Sequence, residues 1–267
     1  MAIRGAKQIL ALKKKPGREA EGKFLIEGVR LCEEALACPG VEQVLFAREA
    51  LESDRLRRLI EGYRGRGTPV QETDRRALQA FCEAVTSQGV VAVVRKEGWD
   101  RAQALKGEGP VVVLDRVHDP GNAGMILRTA EAAGASAAFL TEGSVELYNP
   151  KAVRASMGAV FRLPTFERVG LAETLGLLRT QGFRILAADV RGGVSYRETP
   201  PGARTALVLG SEASGLEAGA RRLVDAVVTV PMRGGAESLN VAVASGILLF
   251  RLLETGRSSS HQSLSST

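Results

Sequence analysis

The sequence has few residues of the types that build metal sites and disulfide frameworks. Only two histidines occur, His118 and His261, so a histidine-rich metal site is excluded and a Ser-His-Asp triad would have to use His118. The cysteines, Cys32, Cys38 and Cys82, have neither CxxC nor metal-ligand spacing. We therefore expect buried or free thiols rather than disulfides, and no bound metal.

Long hydrophobic runs and nucleotide-binding glycine motifs are also absent. The most apolar stretch, Val241 to Phe250, is far shorter than the about 20 residues of a membrane-spanning helix. The segment from Met1 to Lys15 lacks the apolar core of a signal peptide. No GxGxxG sequence follows a predicted strand, which argues against a nucleotide-dependent oxidoreductase. We therefore expect a cytoplasmic protein without a membrane partner.

Acidic residues are missing from the first eighteen positions, which contain six basic residues. This charge equals the formal net charge of +6 of the whole chain, so the rest of the sequence is balanced. A basic segment on a neutral protein is typical of a protein that binds a polyanion such as RNA. A solvated terminus that improves solubility would have the same composition. The residues of this basic segment are Arg4, Lys7, Lys13, Lys14, Lys15 and Arg18.

The 267 residues are enough for two modest domains, and the hydrophobic pattern divides them in this way. Residues 1–97 alternate between helix and strand patterns. Here we predict a helix over residues 18–37, which Cys38-Pro39-Gly40 ends, and a strand over Val41 to Ala47. Residues 98–109 are polar and contain glycines, as in a linker. The first unit is therefore predicted to be a small α/β domain.

The second unit covers residues 110–255, and a serine-rich tail at 256–267 is predicted to be disordered. Its repeated β-α-β pattern predicts a parallel sheet with right-handed crossovers. A helix follows from about Asn122 to Ala133, with Met125 among the residues on its apolar face and Arg128 pointing away from the sheet. Further elements are predicted as a strand over Val160 to Leu163, a helix over Leu171 to Thr180, and strands over Arg184 to Asp189 and Thr205 to Leu209.

The last helix, predicted over Leu239 to Leu253, is apolar on nearly every side. Val243, Ile247 and Phe250 lie on one face, while other apolar residues lie on the opposite one. One face can pack on the sheet, and the second face also needs cover. This pattern favours a homodimer, with burial inside a single chain as the alternative.

Three segments place polar residues after predicted strands: NAGMILR from Asn122 to Arg128, LGSEASGL from Leu209, and PMRGGAESLN ending at Asn240. Each has a structural explanation by itself, since Asn122 and Ser238 could cap helices and Glu212 could stabilise a helix N-terminus. Strands of a parallel sheet end at one edge, where ligands bind. Taken together, the segments predict one ligand site.

These motifs, in this order and spacing, resemble those of the SpoU (TrmH-like) branch of the SPOUT RNA methyltransferases. The resemblance covers about Val111 to Glu254 and extends, in the third motif, to PMRGGAESLNVAVA. In the first unit, RGAKQILALKKK and GKFLIEGVRL resemble the ribosomal-protein-like substrate-binding domain that precedes this catalytic domain. The resemblance implies an α/β protein whose C-terminal parallel-sheet domain contains a trefoil knot.

The resemblance also implies a function. A homodimer would transfer methyl from S-adenosylmethionine to a ribose 2′-hydroxyl of structured RNA, with ribosomal RNA preferred and transfer RNA possible. A non-catalytic RNA-binding protein that retains the fold is the alternative. The implied cofactor-binding residues are Leu209, Gly210, Val230, Met232, Ser238 and Leu239. The implied catalytic residues are Asn122, Arg128, Glu212, Ser238 and Asn240. Lys151 and Arg154 match a family segment near the RNA.

Overall fold

A computed structural model of the chain describes residues 3–199, 204–211, 215–216 and 218–253. The tail at 256–267, predicted to be disordered, lies outside the described residues. No described helix has the length and apolar character that a membrane span requires.

The elements up to residue 98 are helices, strands and one 3₁₀ helix. They are α1 (Ala6–Ala11), α2 (Lys15–Glu21), β1 (Lys23–Glu27), α3 (Val29–Ala35), β2 (Val41–Ala47), a 3₁₀ helix (Arg48–Glu52), α4 (Asp54–Gly65), β3 (Val70–Thr73), α5 (Arg75–Gln79) and β4 (Val90–Arg95).

The elements after residue 98 alternate between strands and helices. They are α6 (Arg101–Ala104), β5 (Val111–Leu114), α7 (Pro120–Ala132), β6 (Ala137–Thr141), α8 (Pro150–Ser156), a 3₁₀ helix (Ala159–Phe161), β7 (Thr165–Val169), α9 (Leu171–Thr180), β8 (Arg184–Ala188), β9 (Val194–Ser195), β10 (Thr205–Leu209), α10 (Ala218–Arg221), β11 (Ala226–Thr229) and α11 (Val241–Leu253).

The chain divides into two compact units. Unit 1 consists of Met1–Gly98 and Tyr148–Phe161, and unit 2 of Trp99–Leu147 and Arg162–Thr267. The segment Tyr148–Phe161, which includes α8, thus packs with the N-terminal residues, which the sequence division into 1–97 and 110–255 does not anticipate. Inside unit 1 the ring of Tyr148 lies 4.6 Å from that of Phe24.

Unit 1 contains a mixed sheet with the strand order β1-β4-β2-β3. Strand β4 pairs antiparallel with both β1 and β2, and β2 pairs parallel with β3. Ile9 of α1 and Leu12, which follows this helix, pack against buried residues of β2 and β4. The thiols of Cys32 and Cys82 are buried and all three cysteines are free, as predicted. Burial raises the pKa of the Cys32 thiol, which disfavours its reactive thiolate form.

The helix predicted over residues 18–37 is wrong, because this stretch contains α2, β1 and α3. Gly22 and Gly28 have φ angles of 62° and 92°, which interrupt a helix on both sides of β1. Between them Phe24 and Ile26 are buried and their neighbours are only partly buried, the alternation of a strand. Pairing with β4, which is distant in sequence, then fixes this strand.

Unit 2 contains a sheet with the order β7-β6-β5-β10-β8-β11-β9, and all of its described pairings are parallel, as predicted. Strands β5, β6 and β10 are buried throughout, which explains their continuous apolar sequences. The chain adds β6 and β7 on one side of β5 and then crosses to β8 on the other. This change of direction creates a switch point at which such sheets bind ligands.

Two sequence predictions for the chain after residue 110 have opposite outcomes. The helix over Leu171 to Thr180 is confirmed. The strand expected over Val160 to Leu163 is wrong: the chain forms a 3₁₀ helix there, and the strand begins at Thr165. Val160 and Leu163 are nevertheless buried, so their apolar character reflects burial rather than strand pairing.

Candidate active site

The carboxyl ends of β10, β8 and β11 open into one cleft of about 910 Å³ in unit 2. Parallel strands end at the same edge, so loops that are distant in sequence meet there. The volume suits a small organic ligand. All of the residues predicted to bind the cofactor line this cleft, namely Leu209, Gly210, Val230, Met232, Ser238 and Leu239.

Gly210 follows β10 directly, and its backbone lies against that of Gly215 and Leu216. A Cβ atom at position 210 would lie 2.5 Å from the carbonyl carbon and oxygen of Gly215, so only glycine fits. The amide of Gly215 donates to the carbonyl of Ser211 at 2.8 Å and closes the turn, with a φ angle of 62° at Gly215. Glu212, one of the residues predicted to be catalytic, lies outside the described residues.

Helix α7 begins beside the cleft. Asp119 caps it, since its Oδ1 accepts a hydrogen bond from the amide of Asn122 at 2.8 Å, and Pro120 occupies the first position. The explanation of Asn122 as a cap is therefore wrong. Its side chain lines the cleft instead, and its Oδ1 accepts a hydrogen bond from Asn240 Nδ2 at 2.9 Å. The first and third motifs are thus in direct contact.

Asn240 also directly precedes the first residue of α11. Its Oδ1 accepts hydrogen bonds from the amides of Ala242 at 2.8 Å and Val243 at 3.4 Å, so Asn240 caps this helix. The alternative that Ser238 is the cap is wrong. Ser238 lies in the preceding loop, where its side chain is exposed and lines the cleft. One amide side chain, that of Asn240, therefore connects the start of α11 to the start of α7.

Arg128 lies on α7 and is exposed, as the helical pattern predicted. It does not belong to the described lining of the cleft. The prediction that Met125 belongs to the buried face is wrong, because its side chain is 47% exposed. Ile126 and Ala130, which the pattern places on the same face, are buried, and Leu127 is buried beside them.

Sequence reasoning missed Asp189, which follows β8 and lines the cleft with a side chain that is only 4% exposed. Its Oδ1 accepts a hydrogen bond from the amide of Arg191 at 2.8 Å. Its Oδ2 accepts one from Arg221 Nη2, and the same nitrogen donates to the Arg191 carbonyl at 2.9 Å. The available signal was an acid directly after an apolar strand, at the edge where the three motifs end.

Comparison with known proteins places this chain in a family. The SpoU rRNA Methylase family matches residues 109–250, and the family described as "RNA 2'-O ribose methyltransferase substrate binding" matches residues 25–98. The chain belongs to the SpoU rRNA methylase family. This membership confirms the predicted family, the predicted methyltransferase activity and S-adenosylmethionine as the cofactor.

Individual relatives can be aligned with this SpoU chain over most of their length. The 23S rRNA (guanosine(2553)-2'-O)-methyltransferase RlmP of Bacillus subtilis is 35% identical over 238 residues, which cover 89% of this chain and 91% of that protein. The 23S rRNA (guanosine-2'-O-)-methyltransferase RlmB of Salmonella typhimurium is 32% identical, covering 78% and 88%. The crystal structure of the SpoU methyltransferase AviRb of Streptomyces viridochromogenes with AdoMet has a TM-score of 0.84 at 28% identity, covering 97% and 99%.

In unit 1 of the SpoU chain, some residues of the basic segment make contacts that stabilise the fold. Arg18 is only 4% exposed, and its Nη1 donates to the carbonyls of Leu12 at 2.9 Å and Lys13 at 3.0 Å. These are carbonyls that follow α1 and lack a partner within the helix. The expectation that Arg18 presents its charge to RNA is therefore wrong. Lys13 is partly used as well, since its Nζ donates to the carbonyls of Ala80 and Cys82.

The other residues predicted to contact RNA lie on the surface of unit 1. Arg154 is half exposed, and its Nη1 donates to Glu27 Oε1 at 2.7 Å. Glu27 is only 17% exposed and also accepts from the amides of Glu83 and Ala84, so Arg154 balances a carboxylate that holds a loop. The other exposed members of the predicted set are Arg4, Lys7, Lys14, Lys15 and Lys151.

Proposed function

We propose that this chain is a homodimeric enzyme that transfers methyl from S-adenosylmethionine to a ribose 2′-hydroxyl of ribosomal RNA. The observation that carries the proposal is the convergence of all the predicted cofactor residues with Asn122 and Asn240 on one cleft. Because RlmP and RlmB are named for guanosines in 23S rRNA, a guanosine of 23S rRNA is the proposed target. Transfer RNA is the second candidate substrate.

The described lining of the cleft fits the donor. Leu209, Val228 and Val230 supply apolar surface for an adenine, while Gly210 brings the backbone close to the ligand. When bound, S-adenosylmethionine supplies a methyl group that its sulfonium has already made electrophilic. The protein then has to align the 2′-oxygen with that methyl group and assist the loss of its proton.

We assign Arg128 to orientation and charge stabilisation at the ribose. A guanidinium has five donors and no acceptor, so it serves poorly as a base. It can bind a phosphate in a fixed, bidentate geometry and stabilise charge on the oxygen that attacks. Asn122 and Asn240 hold the starts of two helices together at the cleft. Ser238 and Glu212 complete the proposed catalytic set.

The homodimer is supported by the surface of unit 2. On α11 the side chains of Val243 and Phe250 are 47% and 50% exposed, and Met125 on the adjacent α7 is 47% exposed. Apolar side chains grouped on two packed helices are typical of an interface. Replacement of Phe250 by Glu should give monomers in sedimentation equilibrium, whereas an unchanged mass would contradict an interface on this face. The trefoil knot and the cytoplasmic location complete the proposal and rest on the family.

For unit 1 we propose RNA binding through its exposed cations, Arg4, Lys7, Lys14, Lys15 and Lys151, with a smaller contribution from Lys13 and Arg154. Charges that remain accessible can neutralise phosphates and release counterions. Buried Arg18 is excluded from this set.

The catalytic proposal is tested with purified protein, labelled S-adenosylmethionine and ribosomal RNA that lacks the modification. Label should appear at one alkali-resistant ribose position. Arg128→Ala should reduce transfer at least about 100-fold while cofactor binding stays intact, and Arg179→Ala on α9 serves as the control. Label on a base would contradict the ribose chemistry. If calorimetry shows no binding of S-adenosylmethionine, the alternative of a non-catalytic RNA-binding protein stands.

A further inference from the structure

The cleft contains one buried acid that none of the three motifs includes. Strand β8 lies between β10 and β11, and Ala188 at its end is in register with Leu209 and Val228. The next residue, Asp189, donates its amide to the carbonyl of Val228 at 3.1 Å. Its carboxylate therefore leaves the sheet at the middle of the edge that forms the cleft.

We propose that Asp189 binds the nucleoside half of the methyl donor by accepting a hydrogen bond from a ribose hydroxyl. The inference rests on the proposed function, because it assumes that the donor occupies this cleft. In parallel α/β sheets, an acid near the carboxyl end of a strand commonly recognises the ribose hydroxyls of a bound nucleotide.

The carboxylate of Asp189 is held in place before any ligand binds. The amide of Arg191 donates to Oδ1, and Arg221 Nη2 donates to Oδ2. Arg221 also donates to the carbonyl of Arg191, so α10 and the loop after β8 are fixed around the same group. An ionised carboxylate has about four acceptor positions. The two described hydrogen bonds leave acceptor capacity on a side chain that lines the cleft.

The charge environment favours a hydroxyl over a cation as the partner. Because Arg221 already balances the charge of Asp189, the pair presents little net charge to the ligand. A balanced carboxylate remains a strong hydrogen-bond acceptor for a neutral donor. Leu209, Val228 and Val230, which line the same cleft, provide apolar surface for the adenine that is attached to the ribose.

The test uses calorimetry with S-adenosylhomocysteine, which binds without methyl transfer, and with its 2′-deoxy and 3′-deoxy ribose analogues. Wild-type protein should bind one of the two deoxy analogues about 10- to 100-fold more weakly than the parent compound. Asp189→Ala should bind the parent compound more weakly by a similar factor and should no longer discriminate against that analogue. Asp189→Asn, which keeps one carbonyl acceptor, should show an intermediate discrimination.

Asp225 provides the matched control. It is also paired with an arginine, Arg179, and also accepts a backbone amide, that of Ile185, but it does not line the described cleft. Asp225→Ala should therefore keep the wild-type affinity and the wild-type discrimination.

Two results would overturn the proposal. Wild-type protein that binds both deoxy analogues as tightly as the parent compound has no ribose contact of this strength, whatever the variants do. An Asp189→Ala protein that loses affinity but discriminates fully would show that Asp189 only shapes the loop. If wild-type protein does not bind S-adenosylhomocysteine at all while methyl transfer is also absent, the proposed function itself fails and this inference fails with it.

Discussion

The two units use their polar side chains in different ways. In unit 2 the predicted cofactor residues line one cleft together with Asn122 and Asn240, which contact each other, whereas Arg128 lies outside the described lining. In unit 1 a share of the residues predicted to bind RNA holds the fold together, as Arg18 does for the end of α1. A motif in unit 2 thus indicates a ligand site. A basic residue in unit 1, in contrast, is either exposed at the surface or makes a contact that stabilises the fold.

Sheet topology explains this difference. All described strand pairings in the sheet of unit 2 are parallel, so the loops after its strands collect at one edge regardless of their distance in sequence. In unit 1, β4 runs antiparallel to both of its neighbours, and its loops are distributed over both ends of the sheet. Charge composition alone cannot separate the two uses of a basic residue there.

The largest expected effect is in the cleft. Gly210→Ala places a Cβ atom against the backbone of Gly215, so the loop must move and the affinity for S-adenosylmethionine should fall more than about 100-fold. The measurement is calorimetric titration of the folded protein. Gly176→Ala, on the exposed face of α9 with open space around it, should keep full affinity and raise stability by about 0.5 to 1 kcal/mol. Normal binding by Gly210→Ala would contradict the assignment of this glycine.

The next effect tests the structural use of charge in unit 1. Arg18→Met leaves the carbonyl groups of Leu12 and Lys13 without their donor, and the free energy of unfolding should fall by about 2 kcal/mol. Urea denaturation measures this change. Lys14→Met, at an exposed neighbouring position, should leave stability within about 0.5 kcal/mol of the wild type. If Arg18→Met also left the free energy of unfolding unchanged, Arg18 would have no structural role and the proposed difference between the two units would be contradicted.

The exposed cations of unit 1 should act on RNA instead. Replacing Lys7, Lys14 and Lys15 together by Gln should weaken RNA binding about 10-fold and reduce the slope of log K against log salt by about 2. Filter binding over a range of salt concentrations measures both quantities, and thermal unfolding should be unchanged. An unaltered slope would contradict RNA binding by these lysines and favour a role of the basic segment in solubility.

The smallest effect concerns Asp225 in unit 2. Its pKa is lowered, first because its carboxylate accepts the amide of Ile185 and then because Arg179 donates to it. Because its folded pKa lies below its unfolded value, the carboxylate stabilises the fold above about pH 4, and this contribution is lost as the pH falls through the folded pKa.

Asp225→Asn should therefore lower stability by about 1 kcal/mol at neutral pH, and the difference from the wild type should shrink below about pH 4. Denaturation at pH 7, 5 and 3 measures it. If the stability difference between Asp225→Asn and the wild type grew as the pH fell, the folded pKa of Asp225 would be raised rather than lowered, which would contradict the stabilising role of its carboxylate.

The sequence alone determined much of unit 2. Buried parallel strands have continuous apolar sequences, so β5 and β10 could be placed, and the three motifs that follow strands had to meet at one edge. The family resemblance then supplied the residues of the cleft. Local patterns also placed β2 and α9 with their observed bounds.

Tertiary structure decided what depends on partners distant in sequence. Strand β1 forms because β4 pairs with it, although the hydrophobic pattern of residues 18–37 predicted a helix. Arg18 is buried because the end of α1 needs donors, and the segment with α8 joins unit 1 because Tyr148 packs on Phe24. Asp189 is recognised as a cleft residue only when β8 lies between β10 and β11. Hydrophobic periodicity reports which residues are buried, whereas these contacts depend on which neighbour buries them.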